Sequence, residues 1–346
     1  MNSDVVKIRR LAAGAALLAA SALWAGATYG ADDQEAGAQA PVAKSLAEQI
    51  FETMLQAGAR PGYRPVHAKG TVCQGTFAPS KHAKTLSKAA HFQVASVPVT
   101  VRFSDGAPDP AIPDSALNAG PRGMAIRFDL PGGGQTDIVS MSHNGFVVGT
   151  GEEFLALQKA IVATDPSKPH PWPIEAFLGA HPLALKFVQE NQVIPASFGN
   201  EAFFSNDAFV FVNKDGVKQA GRYKIVPVAG QHNLSEAEAK AKPPNFLMED
   251  LRTRLATGAI KYHLVVQLPN PGDPTNDPSL VWPDDRKTID VGTLSITSVV
   301  ADSDAAEKAL VFFPTTLTDG IELSDDPFPS LRSSVYALSF AHRQQQ

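Results

Sequence analysis

The chain has 346 residues, of which 44% are hydrophobic and 19% charged, a composition that supports a sizeable core and excludes extensive disorder. Its net charge of -5 offers no basic surface to a phosphate backbone, so nucleic acid is excluded as a partner. The one cysteine, Cys73, rules out an intrachain disulfide. Its position within GTVCQGTF predicts a buried, unreactive strand residue rather than a metal ligand.

The N-terminal segment has the layout of a secretory signal peptide. The basic stretch KIRR precedes an apolar run of 17 residues, 11–27, which ends in a small-residue A-x-A site. An uncleaved membrane anchor is the alternative, but a spanning helix needs about 20 apolar residues and this run is shorter. We therefore expect an exported, periplasmic protein without stable membrane insertion after cleavage. The predicted organisation is a cleaved signal peptide at 1–31, a polar linker at 32–42 and a single domain at 43–346.

Beyond the linker, the periodicity of apolar residues predicts a mixed α and β protein. Helical spacing of Leu46, Ile50 and Met54 predicts a first helix at 43–58. Alternation of apolar and polar residues predicts strands at 96–103, 124–130, 137–141, 208–213, 222–228, 260–268 and 288–297. Further helices are predicted at 151–162, 173–191, 244–256 and 329–342. With GTVCQGTF there are about eight strands, which predicts an α+β fold with a closed or strongly curved antiparallel sheet and helices around it.

Two residues of the last predicted helix are candidates for a functional site. Arg332 and Tyr336 are four residues apart, so they share one helical face on which the guanidinium can reach the phenol oxygen. A neighbouring cation favours the ionised form of a tyrosine, and a phenolate is a ligand of ferric haem iron. Taken alone, the pair is weak evidence, because a core tyrosine beside a solvated arginine is the commoner explanation of such a spacing.

Five stretches of the sequence, taken in chain order, carry the strongest indication of function. They are RPVHAKG at 64–70, VTVRFS at 99–104, PRGMAIRF at 121–128, VWPDDRKTIDVGTLSIT at 281–297 and GIELSDDPFPSLRSSVYALSFAHR at 320–343. Together they resemble landmarks of the haem catalase family, and more closely of its short catalase-related peroxidase branch. The resemblance implies a catalase-like antiparallel closed β-barrel with haem b (iron) buried between the barrel and the C-terminal helix.

The resemblance also implies a role for each matching side chain. His67 is expected to be the distal base that moves the peroxide proton, and Ser104 the hydroxyl that orients its imidazole. Tyr336 is expected to be the axial ligand of the iron, with Arg332 as its charge partner. The other expected cofactor contacts are the propionate partners Arg64, Arg102 and Arg343 and the apolar residues Val66, Phe146 and Phe154. Each of these residues has an ordinary structural explanation when considered singly, and their combination favours the haem site.

The sequence departs from the large catalases on the distal side. Met141, in DIVSMSHN, stands where the resemblance implies an asparagine, and methionine cannot donate a hydrogen bond to peroxide. Asn144 is a poor substitute, because three residues along a strand is about 10 Å and reaches the opposite face. Gly120 stands at the position of an acidic channel residue, and the chain ends soon after Arg343, which implies a more accessible haem. Oxygen release is therefore expected to be weak relative to oxidation of an organic donor.

The expected function is that of a haem-dependent peroxidase. It reduces hydrogen peroxide or organic hydroperoxides with small organic electron donors and has weak catalase activity. Two alternatives remain open, a non-enzymatic haem-binding protein and a hydroperoxide-rearranging haem enzyme on the same fold. The presence of both His67 and Ser104 favours the enzymes, because a carrier needs no distal base. The expected assembly is a monomer or a small homo-oligomer.

Overall fold

The computed structural model describes residues 43–346, so the predicted signal peptide and linker lie outside the described part of the chain. The strands are β1 (Gly70–Pro79), β2 (Val97–Ser104), β3 (Gly123–Asp129), β4 (Gln135–Met141), β5 (Phe203–Phe204), β6 (Phe209–Val212), β7 (Lys218–Pro227), β8 (Ile260–Gln267), β9 (Thr288–Val299) and β10 (Ile321–Leu323). The helices are α1 (Leu46–Gln56), α2 (Ala83–Leu86), α3 (Gly151–Ala163), α4 (Pro173–Ala180), α5 (Pro182–Glu190), α6 (Glu236–Lys240), α7 (Phe246–Thr257), α8 (Ser303–Ala309) and α9 (Phe328–Gln344).

Eight of the strands form a closed antiparallel barrel. Hydrogen-bonded neighbours follow the order β9-β1-β2-β3-β4-β5-β7, and β8 closes the ring by pairing with both β7 and β9. The short strands β6 and β10 extend the sheet beside β7. Closure satisfies the backbone groups that an open sheet leaves at its edges. The predicted α+β class and the closed antiparallel barrel are confirmed.

Strand β2 shows how the sequence separates the barrel core from the site. Val99, Val101 and Phe103 are 2%, 0% and 0% exposed and belong to the apolar core. Because successive side chains of a strand point to opposite faces, Arg102 and Ser104 point away from that core. Both are nevertheless buried, because other elements cover the outer face of the barrel here. Two polar side chains are thereby presented to the space between the barrel and its covering helices.

Helices α1, α3 and α9 form part of this cover. Helices α1 and α3 begin at capping boxes with Ser45 and Thr150 as N-cap residues, which satisfy backbone N–H groups of the first turn. Their apolar faces meet α9 in one cluster that includes Ile50, Leu155 and Val335. The cluster fixes the position of α9, the helix that carries Arg332 and Tyr336.

Most predicted elements are present, with ends that differ by a few residues. Cys73 lies fully buried on β1 as predicted, and burial raises the pKa of its thiol to about 12. The prediction of one helix at 173–191 is wrong: α4 ends at Ala180 and α5 begins at Pro182, because a proline ring clashes with the preceding helical turn. The short elements α2, α6, α8, β5 and β10 were not predicted. Within residues 43–346, no helix is both long enough and apolar enough to cross a membrane.

Candidate active site

A cavity of about 1060 Å³ lies between strands β2 to β4 of the barrel and helices α3 and α9. Its volume is slightly above the usual range for ligand sites, about 300–1,000 Å³. The structure brings together every side chain that the sequence assigned to the site. The cavity is lined by Arg64, Val66, His67, Arg102, Ser104, Phe146, Phe154, Arg332, Tyr336 and Arg343.

The backbone of His67 is strained where it meets the cavity. Its φ is +54°, and no other non-glycine residue in the described range 43–346 has a positive φ. A non-glycine side chain pays about 1–3 kcal/mol for such a conformation. The His67 amide donates to the carbonyl of Gly106 at 3.2 Å, and Arg102 Nη2 donates to the His67 carbonyl at 2.8 Å. Strain that the surroundings enforce in this way is typical of functional residues.

The imidazole of His67 is oriented by Ser104. Nδ1 of the ring lies 3.1 Å from Ser104 Oγ. In the tautomer with the proton on Nδ1, that N–H donates a hydrogen bond to the serine oxygen, and Nε2 is free to act as a base. Gly123 of β3 makes this pair possible. A Cβ at that position would lie 2.6 Å from Ser104 Oγ and 2.9 Å from His67 Nδ1, too close for either side chain to remain in place. Sequence analysis gave Gly123 no role, although this glycine lies in the landmark PRGMAIRF at 121–128.

The surroundings keep His67 neutral. Burial, followed by the positive charges of Arg102, Arg332 and Arg64, lowers the pKa of His67 to about 3. The neutral ring is therefore the form present at pH 7. A neutral imidazole can accept a proton, and its protonated form is destabilised enough to return the proton quickly.

On α9, Arg332 and Tyr336 interact as their spacing predicts. Arg332 Nε donates to Tyr336 Oη at 3.1 Å, and the opposite end of the guanidinium, Nη1, pairs with Asp207. Burial opposes the charge on Arg332, but Asp207 and Tyr336 outweigh burial and raise the pKa of the guanidinium above its usual value. Asp207 was missed by sequence analysis, because it lies 125 residues from its partner and in no motif. The pair therefore places a permanent cation against the phenol oxygen.

A second group of arginines, Arg64, Arg102 and Arg343, surrounds Glu307. Arg64 Nη1 donates to Glu307 Oε2 at 2.5 Å, and Arg102 Nε donates to both Glu307 oxygens at 2.7 and 2.8 Å. Arg343 Nη1 and Nη2 donate at 3.2 and 3.4 Å to the main-chain carbonyls of Glu307 and Leu310. Glu307 lies on α8, which sequence analysis did not predict, and it is not among the residues that line the cavity. The three guanidinium groups thus face the cavity with a carboxylate behind them.

Apolar side chains form most of the remaining wall. The ring of Phe146 packs 5.5 Å from that of Phe154 and 5.1 Å from that of Phe328, between centroids. Met141, at the end of β4, lines the cavity, whereas Asn144 does not. The prediction that Asn144 lies on the same strand as Met141 is wrong, because β4 ends at Met141 and Asn144 lies in the following loop. Asn144 still does not replace the missing donor, because it lies outside the cavity lining, and the Met141 side chain has no hydrogen-bond donor.

These groups fit the chemistry of haem. The phenol oxygen suits ferric iron, the apolar wall suits the porphyrin, and guanidinium groups suit the propionate carboxylates. Arg343 Nε is buried and has no hydrogen-bond partner among the described residues, so it has capacity for a further acceptor. The barrel and the pocket on its outer face define a protein of catalase-like architecture with a haem-type site.

Comparisons with known proteins agree with this class. The sequence model of the Catalase family matches residues 31–345. A catalase-related peroxidase of Mycolicibacterium paratuberculosis is 38% identical over 82% of this chain and 89% of its own length. A catalase-related peroxidase of Synechococcus elongatus is 35% identical over 83% of this chain and 85% of its own length. The chain belongs to the catalase family, and the resemblance to its catalase-related peroxidase branch is confirmed.

Solved structures show the same fold at lower sequence identity. A bacterial catalase superimposes with a TM-score of 0.72 at 20% identity, covering 94% of this chain and 68% of the other. A fungal catalase gives a TM-score of 0.73 at 21% identity, covering 92% of this chain and 66% of the other. At this identity the likeness establishes the architecture, and the function has to be argued from the site.

Proposed function

We propose that this member of the catalase family is an oxidoreductase that acts on peroxide, with haem b as its cofactor. In this proposal it reduces hydrogen peroxide or organic hydroperoxides with electrons from small organic donors. The observation that carries the proposal is that one cavity contains both the His67–Ser104 pair and the Arg332–Tyr336 pair. The names of the relatives, catalase-related peroxidases, support the reaction class.

Residues on α9 and around the barrel would hold the cofactor. Tyr336 would bind the iron through its phenol oxygen as the phenolate, and Arg332, which donates a hydrogen bond to that oxygen, would offset its negative charge. Arg64, Arg102 and Arg343 would bind the propionates, because a planar guanidinium can donate two parallel hydrogen bonds to a carboxylate. When bound, haem supplies the electron transfer that no side chain of the cavity can perform.

The distal residues move the proton. His67, neutral at pH 7, accepts the proton of the hydroperoxide group. The same ring then returns the proton to the other oxygen, which leaves as water or as an alcohol when the O–O bond breaks. Ser104 keeps Nε2 directed at the substrate by accepting a hydrogen bond from Nδ1. Two electrons and two protons from the organic donor then convert the remaining oxygen to water.

The balance between peroxidase and catalase activity follows from the shape and polarity of the cavity. At position 141 the distal wall offers a thioether instead of an amide, so a second hydrogen peroxide is poorly oriented for oxidation to oxygen. The cavity also extends past Leu117, Phe187 and Ile194, a largely apolar path that accommodates the carbon chain of an organic peroxide or donor. We therefore propose that donor oxidation exceeds oxygen release.

Product analysis tests this proposal against its alternatives. The haem-loaded protein is mixed separately with hydrogen peroxide and with a lipid hydroperoxide, each with a phenolic donor, and donor oxidation, oxygen and lipid products are measured. Free haem at the same concentration is the control. We expect the protein to form more oxidised donor and more lipid alcohol than free haem forms. Rearranged lipid products without donor oxidation identify the hydroperoxide-rearranging enzyme instead, and bound haem without turnover identifies a carrier.

We also propose that the protein is exported to the periplasm after cleavage of a signal peptide that lies within residues 1–31 and ends between Ala27 and Ala31. The proposal rests on the basic stretch, apolar run and small-residue site at the N-terminus. N-terminal sequencing of the protein recovered from the periplasm is expected to find a first residue between Thr28 and Asp32. A membrane-bound product that retains Met1 contradicts it.

A further inference from the structure

Glu307 occupies an unusual position in the proposed haem site. Its side chain is only 13% exposed, and its two oxygens accept hydrogen bonds from Arg64 and Arg102. Its own main-chain carbonyl accepts from Arg64 and Arg343 at 3.3 and 3.2 Å. One residue of α8 therefore contacts all three arginines that are proposed to bind the propionates. The carboxylate does so from behind, since the arginines line the cavity and Glu307 does not.

The packing around this carboxylate leaves little freedom. A Cβ on Gly70 would lie 2.7 Å from Glu307 Oε1 and would collide with the Arg102 guanidinium. Arg102 also donates to the carbonyl of His67 at 2.8 Å, which connects the arginine group to the distal loop. The position of Glu307 thus sets the position of Arg102, and through it the wall of the cavity on the distal side.

The charges of the group are complementary to haem. Three arginines and one glutamate carry a net charge of +2, and haem b has two propionates. Without a counter-charge the arginines repel one another: burial and the neighbouring arginines lower the pKa of Arg64 well below its usual value, and Glu307 opposes that effect. Removing one partner of a buried ion pair leaves an uncompensated charge and is strongly destabilising.

We propose that Glu307 is a positioning residue of the cofactor site, a resident counter-ion that holds Arg64 and Arg102 in place before haem binds. Resting on the proposed function, the inference adds that Glu307 competes with the propionates for the same guanidinium groups. Glu307 therefore stabilises the haem-free protein and weakens haem binding. A purely structural ion pair stabilises both forms equally and leaves the haem affinity unchanged.

The test compares Glu307→Gln with the wild-type chain by thermal unfolding and by spectroscopic titration with ferric haem b. The matched control is Glu322→Gln, which removes the same charge from an exposed ion pair with Lys218. The Tm of haem-free Glu307→Gln is expected to fall by about 5 °C or more. Its Kd for haem b is expected to fall about tenfold, because the group now carries an additional net positive charge. The control is expected to change neither quantity.

Haem dimethyl ester, which carries no propionate charge, separates the possible causes. The gain in affinity is expected to disappear with the ester. Unchanged or weaker binding of haem b by Glu307→Gln, or a gain that persists with the ester, overturns the inference. If haem-free Glu307→Gln does not fold, refolding with haem b but not with the ester is expected to restore the Soret band, and equal failure with both overturns it.

The wild-type titrations report on the proposed function independently. A wild-type chain that binds no haem refutes the haem site itself, and the inference about Glu307 with it. A wild-type chain that binds haem b and the ester equally well refutes the pairing of arginines with propionates. Preference of the wild type for haem b, with no gain in Glu307→Gln, leaves the proposed function intact and overturns only the role of Glu307.

Discussion

Replacing His67 separates proton transfer from cofactor binding. His67→Ala removes the base but leaves Tyr336, Arg332 and the three arginines around Glu307 in place, so we expect haem to bind normally. A positioned general base contributes about 10²–10⁴-fold to a reaction rate. Because the surroundings lower the pKa of His67 to about 3, its proton affinity is small, and we expect the lower end of that range, about 10²-fold.

The assay is the rate of spectral change per bound haem when peroxide is added in a stopped-flow instrument. His67→Asn is the matched variant, because asparagine tolerates the φ of +54° at this position but provides no basic nitrogen. The rate per bound haem is expected to fall by a similar factor in both variants. Tyr336→Phe is the proximal counterpart, and we expect it to lose haem or to show a large change in the Soret band. Loss of haem by His67→Ala with normal turnover per remaining haem, or a native spectrum for Tyr336→Phe, refutes the assignment of the two sides.

Three further predictions follow from particular contacts. Ser104→Ala removes the 3.1 Å partner of His67 Nδ1, so the peroxide reaction should slow about tenfold at an unchanged Soret band; an unaltered rate would contradict the orienting role. Met141→Asn adds an amide donor, so oxygen release at an oxygen electrode should rise relative to donor oxidation, and no rise would exclude position 141 as the cause. Burial lowers the pKa of His91 to about 3, so the unfolded chain binds a proton that the folded chain does not between pH 6.5 and 3, and stability falls as the pH falls. In His91→Phe this loss, measured by urea unfolding, should be shallower by up to about 1.4 kcal/mol per pH unit, whereas parallel curves for the two proteins would refute the assignment.

The sequence predicted the elements whose patterns are long enough to be periodic. In β2, the alternation of Val99, Val101 and Phe103 with polar residues is visible in the sequence and corresponds to burial in the barrel core. The two residues of β5 and the three of β10 are too few to show any period. Helix α8, SDAAEKA, has no apolar stripe from which a helix could be inferred. Pro182 itself is visible in the sequence and indicates a helix break, but the prediction of one helix at 173–191 did not use it.

For the site, the sequence landmarks predicted the residues that face the cavity. They did not predict the carboxylates Asp207 and Glu307, which lie behind those residues. Asp207 pairs with Arg332 across 125 residues of sequence, and Glu307 pairs with Arg64 across 243. Neither carboxylate stands in a motif or at a regular spacing from its partner. Their pairing is a consequence of barrel closure and of the position of α8, so it becomes visible only in three dimensions.

The arrangement of charges explains why these hidden carboxylates matter. Arg64, Arg102 and Arg332 line the cavity, whereas their counter-ions Asp207 and Glu307 lie outside its lining. Pairing makes the burial of the guanidinium groups tolerable, and the resulting cavity wall is still cationic. Burial, followed by the charges of the same three arginines, lowers the pKa of His67, so the wall that would attract an anionic cofactor also helps to keep the base neutral. Cofactor binding and proton transfer therefore depend on one set of charges, and a change to either carboxylate is expected to alter both.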